Sequence, residues 1–173
     1  LQKKKIAVIG GGPAGMSAAI AAAERGHAVT LYEKTDRLGG LLNISETDPE
    51  KTDMRTFRKY LIEQVKKLPV QVLYQTTATP EKIAQEDYDE IITALGSVPR
   101  KLNIPGAELQ HVLNIVEAHE KKLGDVVTII GGGASGCELA LSLLREGKKV
   151  TILEYTGQLA ASGNLLYRGA LAE

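Results

Sequence analysis

The sequence predicts an α/β protein in which helices pack on parallel strands. Short aliphatic runs that end in glycines, of which KIAVIGGG at residues 5–12 is the first, are typical of buried parallel strands. Segments with helical character follow these glycines. The order strand, glycines, helix, strand occurs twice with a constant offset of 121 positions, which pairs Gly10 with Gly131, Gly15 with Gly136, Gly26 with Gly147 and Glu33 with Glu154.

Composition narrows the class of function. The 173 residues suffice for one large domain or two small ones with a buried core. The 21 basic residues balance the 21 acidic ones, which argues against a nucleic-acid partner or a polybasic membrane surface. Apolar runs all fall short of the roughly 18 residues that a membrane span needs. We therefore expect neither nucleic acid nor membrane as a partner.

Cysteine and histidine content bears on redox and metal chemistry. Cys137 is the only cysteine, so the chain can form neither an internal disulfide nor a redox-active cysteine pair. A single thiol is consistent with a reducing compartment, and we expect a cytoplasmic protein. The three histidines have no mutual spacing that indicates metal ligation, and no metal site is predicted.

The first copy of the pattern begins a series of alternating elements. A strand at 5–9 leads through the glycines to a helix at 13–25, and a second strand at 28–32 ends at Glu33. A loop containing Gly39 and Gly40 precedes a helix at 54–67, whose Phe57, Tyr60 and Leu61 we interpret as core packing. Further strands are predicted at 70–74 and 90–94.

The second copy follows a connector. Residues 98–125 contain Pro99, Pro105 and Gly106 and end with a predicted helix at 114–122. A strand at 126–130, a helix at 134–146 and a strand at 149–153 then repeat the first pattern. Because only 19 residues follow Glu154, the second βαβ unit is predicted to be truncated. The chain starts at Leu1, and we interpret it as a piece of a longer protein.

The glycine spacing carries the main chemical prediction. Gly10, Gly12 and Gly15 form a G-x-G-x-x-G pattern between a strand and a helix, which is the context of a dinucleotide site. The first glycine permits a tight turn, the second lets backbone approach a pyrophosphate, and the third lets helix and strand pack closely. The helix N-terminus offers free N–H groups and partial positive charge to the anion. Pro13 suits the first helical turn.

An acid follows each glycine pattern. Glu33 lies 18 residues beyond Gly15, close to the roughly 20 expected of the acid that accepts hydrogen bonds from the ribose hydroxyls. Such a carboxylate would repel the additional phosphate of NADP. The second copy meets the same criteria with Gly131, Gly133, Gly136 and Glu154. The alternative for either copy is a glycine-rich turn that binds nothing.

Further motifs give a family resemblance. Residues 38–40, LGG, and the stretch from Tyr88 and Asp89 to Gly96 resemble the FAD half of the two-dinucleotide-binding flavoproteins, with Leu95 inside the usual Ala-Thr-Gly tripeptide. The segments RLGGLLNISETDP, TFRKYLIEQ and ITALGSVPRKLNIPGAE resemble the C-terminal part of 2,4-dienoyl-CoA reductase and related NADH:flavin oxidoreductases of the old yellow enzyme class. The resemblance runs from about residue 5 to about residue 154.

This resemblance implies a Rossmann-like three-layer fold. FAD would bind in the half formed by residues 1–97, and residues 126–173 would be the start of the half that binds NADH. In the family, an N-terminal barrel carries FMN, a 4Fe-4S cluster and an enoate or enoyl-type substrate. NAD(P)H reduces the FAD, and electrons pass through the cluster to the FMN. Nothing in this sequence corresponds to the barrel or the cluster cysteines, so the barrel is expected as a partner domain outside the chain.

The resemblance also assigns residues of the FAD half. The pyrophosphate would lie on Gly10, Gly12, Pro13, Ala14 and Gly15, and the adenosine ribose on Glu33, which Lys34 follows. Arg37 either neutralises a phosphate or is an exposed loop arginine. Gly39 and Gly40 would pass beneath the ribityl chain or flavin with Leu41 and Asn43 nearby. Thr77 and Ala78 would support the adenine, and Ala94, Leu95 and Gly96 would line the pyrophosphate.

For the NADH half, the resemblance assigns Gly131, Gly133, Ser135, Gly136 and Glu154. Glu138 either faces the nicotinamide or complements the helix dipole. Cys137 is interpreted as a buried small residue rather than a nucleophile. No catalytic side chain is predicted, because the hydride chemistry would belong to the cofactors.

Three functions therefore compete at this point. The leading one is an electron-entry module that passes hydride from NADH to FAD. The second is a non-redox module that binds ADP, as in proteins similar to trimethylamine dehydrogenase, and the third is a structural domain with empty glycine turns. Because the NADH half is incomplete, we expect the fold to form and FAD to bind weakly.

Overall fold

The computed structural model of the chain describes residues 2–164 and 167–169. The chain divides into two compact units, Leu1–Val98 and Pro99–Glu173. Each unit contains one of the two glycine patterns. Residues 99–125, predicted as most of a connector, are grouped with the second unit.

Residues 2–98, the described part of the first unit, contain four strands, three α-helices and one 3-10 helix. These elements are, in chain order, β1 Lys5–Ile9, α1 Pro13–Glu24, β2 Ala28–Tyr32, the 3-10 helix Gly40–Glu46, α2 Thr52–Lys67, β3 Val70–Leu73, α3 Pro80–Ala84 and β4 Glu90–Thr93. The strands form one parallel sheet in the order β3-β2-β1-β4. Because the strands are parallel, their carboxyl ends share one edge, which brings the glycine loop, Glu33 and Ala94 together.

Helices cover both faces of this sheet. Val8, Leu31 and Met16 are fully buried in a cluster that also contains Leu61 and Val65 of α2. On the opposite face, Ala7 and Tyr32 pack with Ile83 of α3. Strands covered on both sides carry no polar alternation, which is why β1 reads as a continuous apolar run. The predicted three-layer α/β fold is confirmed.

The interpretation of α2 is wrong in part. Its buried residues are Arg58, Leu61 and Val65, whereas Phe57 is 49% exposed and Tyr60 is 56% exposed. The buried stripe is centred on the i, i+3, i+7 positions that begin at Arg58, and the two aromatic residues lie on its flank. An apolar count misplaced the stripe because an arginine occupies one of its inward positions.

Two short helices were not predicted. The 3-10 helix Gly40–Glu46 follows the paired glycines, and α3 begins after Thr79, whose hydroxyl accepts a hydrogen bond from the amide of Lys82. Neither is long enough to show a helical period, and only the cap and Pro80 marked the start of α3. The other predicted elements differ from the structure by at most two residues at either end.

The second unit repeats the strand–helix–strand arrangement. It contains α4 Ile115–Glu120, β5 Val126–Ile130, α5 Ala134–Arg145 and β6 Lys149–Leu153, and the two strands pair in parallel. α5 buries Cys137, Leu139, Ala140 and Leu143. Asn114 and Glu117 form a reciprocal capping box at the start of α4.

A membrane-crossing helix would need more length and apolarity than any helix among the described residues has.

The revised stripe on α2 predicts unequal effects of two substitutions. Leu61→Ala should lower the free energy of unfolding by about 2–5 kcal/mol, because it opens a cavity in the main core. Phe57→Ala, at a half-exposed position, should lower it by about 1 kcal/mol or less. Urea unfolding followed by circular dichroism measures both changes. An equal or larger loss for Phe57→Ala would restore the aromatic residues to the core.

Candidate functional site

The first glycine loop joins β1 to α1 with almost no room for side chains. Gly10 has φ +109°, and a Cβ added there would lie 2.3 Å from the carbonyl oxygen of Ala94. A Cβ on Gly15 would lie 1.7 Å from the carbonyl oxygen of Gly10. Both glycines are therefore required by the chain's own packing, the first for its conformation and both for close approach.

Gly12 and Gly133 behave differently. Both have extended backbone, with φ −73° at Gly12 and φ −68° at Gly133, which any residue adopts. A Cβ on Gly12 would come no nearer to a described atom than 3.9 Å, and a Cβ on Gly133 would have none within 4 Å. Contacts among the described residues therefore do not require glycine at either position. The open space above the loop fits a ligand that approaches the backbone closely.

The helix N-termini beside these glycines can bind an anion. Gly12 is the N-cap of α1 and Gly133 is the N-cap of α5, and no described side chain caps either helix. The first-turn N–H groups and the helix dipole therefore favour a negative ligand at this point. A phosphate fits both the open space and the partial charge.

A glutamate braces the first loop. Glu33 is 6% exposed, and its Oε2 accepts a hydrogen bond of 2.8 Å from the amide of Gly11. Its Oε1 accepts one of 2.7 Å from the amide of Thr35. The amide of Gly39 donates to the carbonyl of Gly11 at 2.9 Å. A Cβ on Gly11 would lie 2.5 Å from Leu38 and 2.7 Å from the carboxylate. Glycine at this middle position therefore lets the loop come close enough to form these hydrogen bonds, which we call the brace.

The second loop has the same brace, 121 positions further on. Glu154 accepts hydrogen bonds of 2.6 Å from the amide of Gly132 and 2.6 Å from the amide of Thr156. The amide of Ala160 donates to the carbonyl of Gly132 at 2.7 Å, and Leu159 lies against Gly132 as Leu38 lies against Gly11. The repeat thus extends beyond Glu154, although Ala160 takes the place of Gly39.

The donors around Glu154 hold it in its charged form. The amide of Thr156, then its hydroxyl, then the amide of Gly132 lower the pKa of Glu154 below its ordinary 4.5. Hydrogen bonds to a carboxylate favour ionisation, so this group keeps its negative charge throughout the neutral range.

One buried charged residue was not predicted from the sequence. Arg58 is buried on α2 and donates hydrogen bonds to Asn43 and Glu46 of the 3-10 helix. Burial lowers the pKa of Arg58, and the charge of Arg37 lowers it further. A Cβ on Gly40 would lie 2.9 Å from the Cα of Gly12, so this segment borders the first loop. The helical register shared with Leu61 was the available signal.

The other predicted residues differ in how closely they approach the loops. Ala94 contacts Gly10, whereas Leu95 beyond it is 74% exposed. Ala78 packs beneath the sheet near Tyr32. Pro13 is half-buried at the start of α1. The remaining residues predicted for the first unit, exposed in the structure, are Ala14, Lys34, Arg37, Leu41, Thr77 and Gly96.

In the second unit, Ser135 is exposed on the first turn of α5. Tyr167 donates a hydrogen bond to the carboxylate of Glu138, and burial together with this bond raises the pKa of Tyr167 to about 12. Cys137 is buried as expected, with its Sγ 3.3 Å from the carbonyl oxygen of Gly132. Among residues 2–164 and 167–169, no three His, Cys, Asp or Glu side chains are grouped to hold a metal.

The fold and the two loops define an α/β protein with a dinucleotide-type loop in each of its two units. A family model described as pyridine nucleotide-disulphide oxidoreductase matches residues 4–164. The chain belongs to this oxidoreductase family, and the two-dinucleotide-binding class predicted from the sequence is confirmed. Its single cysteine cannot form a disulfide within this chain.

Individual relatives agree with this assignment. NADH oxidase of Thermoanaerobacter brockii is 43% identical over 165 residues, which cover 91% of this chain and 25% of that protein. Cinnamate reductase of Clostridium sporogenes is 41% identical over 165 residues, covering 95% of this chain and 25% of that protein. A structure of 2-naphthoyl-CoA reductase in complex with 2-naphthoyl-CoA matches with a TM-score of 0.90 and 34% identity, covering 99% of this chain and 27% of that one. The chain thus spans about a quarter of these relatives.

The two kinds of glycine predict unequal losses of stability on substitution by alanine. Gly15→Ala should lower the free energy of unfolding by more than about 2 kcal/mol, because its Cβ overlaps the carbonyl of Gly10. Gly12→Ala should change it by about 1 kcal/mol or less, since the space around it is open. Denaturant unfolding of the two variants measures the contrast. A large loss in Gly12→Ala would mean that folding, and not a ligand, requires this glycine.

The lowered pKa of Glu154 predicts a pH dependence. Because the folded pKa lies below the ordinary 4.5, the charged carboxylate contributes stability above that value and loses it as pH falls through the folded pKa. Wild type should therefore exceed Glu154→Gln in unfolding free energy at pH 7, and the difference should shrink below pH 4.5. Urea unfolding of both proteins from pH 7 to pH 3 measures it. A difference independent of pH would contradict the assigned hydrogen bonds.

Proposed function

We propose that the chain is the electron-entry module of a flavin oxidoreductase, in which the first loop binds FAD and the second binds NADH. The observation that carries this proposal is the open space at Gly12 and Gly133, each beside an uncapped helix N-terminus. An empty structural turn would explain Gly10 and Gly15 but would leave these two glycines without a reason.

In the first unit, the FAD pyrophosphate lies on the backbone of residues 10–15 with Pro13 and Ala14 in the first helical turn. Glu33 accepts hydrogen bonds from the hydroxyls of the adenosine ribose, and Arg37 neutralises phosphate charge. Gly40 borders Gly12 closely enough to support the ribityl side. The pyrophosphate is lined by Ala94, Leu95 and Gly96. Leu41 lies at the flavin side, and Lys34 and Ala78 lie at the adenosine side.

In the second unit, the pyrophosphate of NADH lies over Gly131, Gly133 and Gly136, with Ser135 in the first helical turn. Glu154 accepts ribose hydroxyls and disfavours the additional phosphate of NADPH, because its pKa is held low and its charge persists. Glu138 orients the nicotinamide side through its bond with Tyr167.

The division of labour follows from these sites. Residues 1–97 form the FAD half, 98–125 connect, and 126–173 begin the NADH half. Bound FAD would supply a two-electron acceptor for hydride and a route for onward transfer. The chain's own residues bind and orient the two nucleotides.

The acceptor of the electrons is proposed to lie outside the chain. Relatives about four times as long are named as an NADH oxidase, a cinnamate reductase and a 2-naphthoyl-CoA reductase, which supports a partner domain and an enoate or enoyl-type substrate. We propose that this domain is a barrel with FMN and a 4Fe-4S cluster. We place the protein in the cytoplasm, where its single thiol stays reduced.

A spectroscopic titration tests the proposal. Added FAD should show perturbed flavin absorption bands in the presence of excess chain, and anaerobic NADH should bleach those bands. Gly12→Ala should lose most of the flavin uptake. Gly133→Ala should keep the flavin and require about tenfold more NADH, because only the second loop is blocked.

The two variants act as controls for each other, since each changes one loop and leaves the other intact. Uptake of ADP without uptake of FAD by the wild-type chain would favour a non-redox nucleotide module. A chain that binds neither compound would favour a structural domain.

A further inference from the structure

A threonine stands two positions after each strand-end acid. The amide of Thr35 donates to Glu33 Oε1 at 2.7 Å, and its hydroxyl oxygen lies 2.8 Å from the same carboxylate oxygen. The hydroxyl also lies 2.9 Å from the carbonyl oxygen of Arg37. It has one proton to donate, and the ionised carboxylate is the stronger acceptor. Thr35 therefore donates two hydrogen bonds, from its amide and its hydroxyl, to one oxygen of the carboxylate.

The second copy reproduces this arrangement atom for atom. The amide and hydroxyl of Thr156 lie 2.6 Å and 2.8 Å from Glu154 Oε1, and the hydroxyl lies 3.2 Å from the carbonyl of Gln158. The residue between acid and threonine differs, Lys34 in one copy and Tyr155 in the other. Two units with different neighbours thus retain the same pair of donors on the same oxygen.

Counting acceptor sites shows what the threonine leaves available. A carboxylate offers about four lone-pair sites. On Glu154, the Thr156 amide and hydroxyl occupy Oε1, and the Gly132 amide, at 2.6 Å, occupies one site of Oε2. The backbone of Tyr155 also hydrogen-bonds this carboxylate, so at most one acceptor site is left for a ligand. A ribose hydroxyl therefore meets a carboxylate whose rotation is already fixed.

We propose that Thr35 and Thr156 are positioning residues that fix the orientation of the ribose-binding acids, and that Thr156 thereby sets the preference of the second loop for NADH over NADPH. This inference rests on the proposed function of Glu154. A fixed carboxylate cannot turn away from a 2′-phosphate, whereas one that has lost the threonine hydroxyl is held by backbone amides alone and turns more easily. Because the carboxylate is already held in one orientation, binding a ribose with free hydroxyls costs less side-chain entropy.

The threonines suit substitution because they contribute little to the core. Both are exposed, and valine preserves their shape and their backbone donor while it removes the hydroxyl. Thr156→Ser retains the hydroxyl and serves as the conservative control. Thr35→Val removes the matching hydroxyl from the first loop and serves as the control for any general effect of such a change.

Binding of NADH and NADPH to the full 173-residue chain, followed by the fluorescence of the reduced nicotinamide, gives the ratio of the two dissociation constants. Thr156→Val should reduce the preference for NADH by about fivefold. Thr156→Ser and Thr35→Val should keep the wild-type ratio. Glu154→Arg should reverse the preference.

The outcomes separate the two claims. If Glu154→Arg changes the ratio and Thr156→Val does not, the role of the threonine is wrong and that of the acid stands. If Glu154→Arg leaves the ratio unchanged, or if neither nucleotide binds, the proposed function of the second loop fails, and the preference assigned to Thr156 fails with it.

A second measurement needs no nucleotide. Titration of the Glu154 side-chain carboxyl carbon by NMR should show that Thr156→Val raises the pKa of Glu154 towards its ordinary value, while Thr156→Ser does not. Loss of a merely structural contact elsewhere would not move this titration. An identical Glu154 titration in wild type and Thr156→Val would overturn the positioning role.

Discussion

The close approach of α1 to the end of β1 is the constraint on which the first unit depends. Gly15 comes so near to the carbonyl of Gly10 that no side chain fits between them. This contact turns the chain from strand to helix within a few residues and aims the helix N-terminus at the carboxyl edge of the sheet. The same approach occurs between Gly136 and Gly131, where a Cβ would lie 2.2 Å from the carbonyl oxygen.

The acids then tie each turn to the next strand. Because Glu33 and Glu154 bind the amides of Gly11 and Gly132, the glycine between the first two consensus glycines has its own structural purpose. In each G-G-G run, the first glycine is required by its backbone conformation and the second by the hydrogen bonds to the acid. The third is required by neither. Only the last of these is left for a ligand, which locates the candidate site more narrowly than the motif does.

The repeat, the strands and the strand-end acids could be predicted because each depends on local sequence: aliphatic runs, glycines at fixed spacing and a carboxylate at the strand end. Arg58 was not predicted although it shares the helical register of Leu61, since its partners Asn43 and Glu46 belong to a 3-10 helix that no sequence pattern marked. Phe57 and Tyr60 were misplaced because a count of apolar residues does not place Arg58 on the buried face. The two threonines are evident in the sequence, but their hydrogen bonds to the acids are known only from the distances in the structure.

The outward face of the β5–β6 pair has a colloidal consequence. Along these strands every second residue is exposed, and the exposed set includes Val126, Ile130 and Leu153. The aliphatic members of this face, which also carries Thr128, Lys149 and Thr151, favour self-association as concentration rises. The chain has no net charge to oppose such contacts through long-range repulsion. Dilute solutions and a buffer pH removed from neutrality are therefore the conditions under which the chain will remain dispersed.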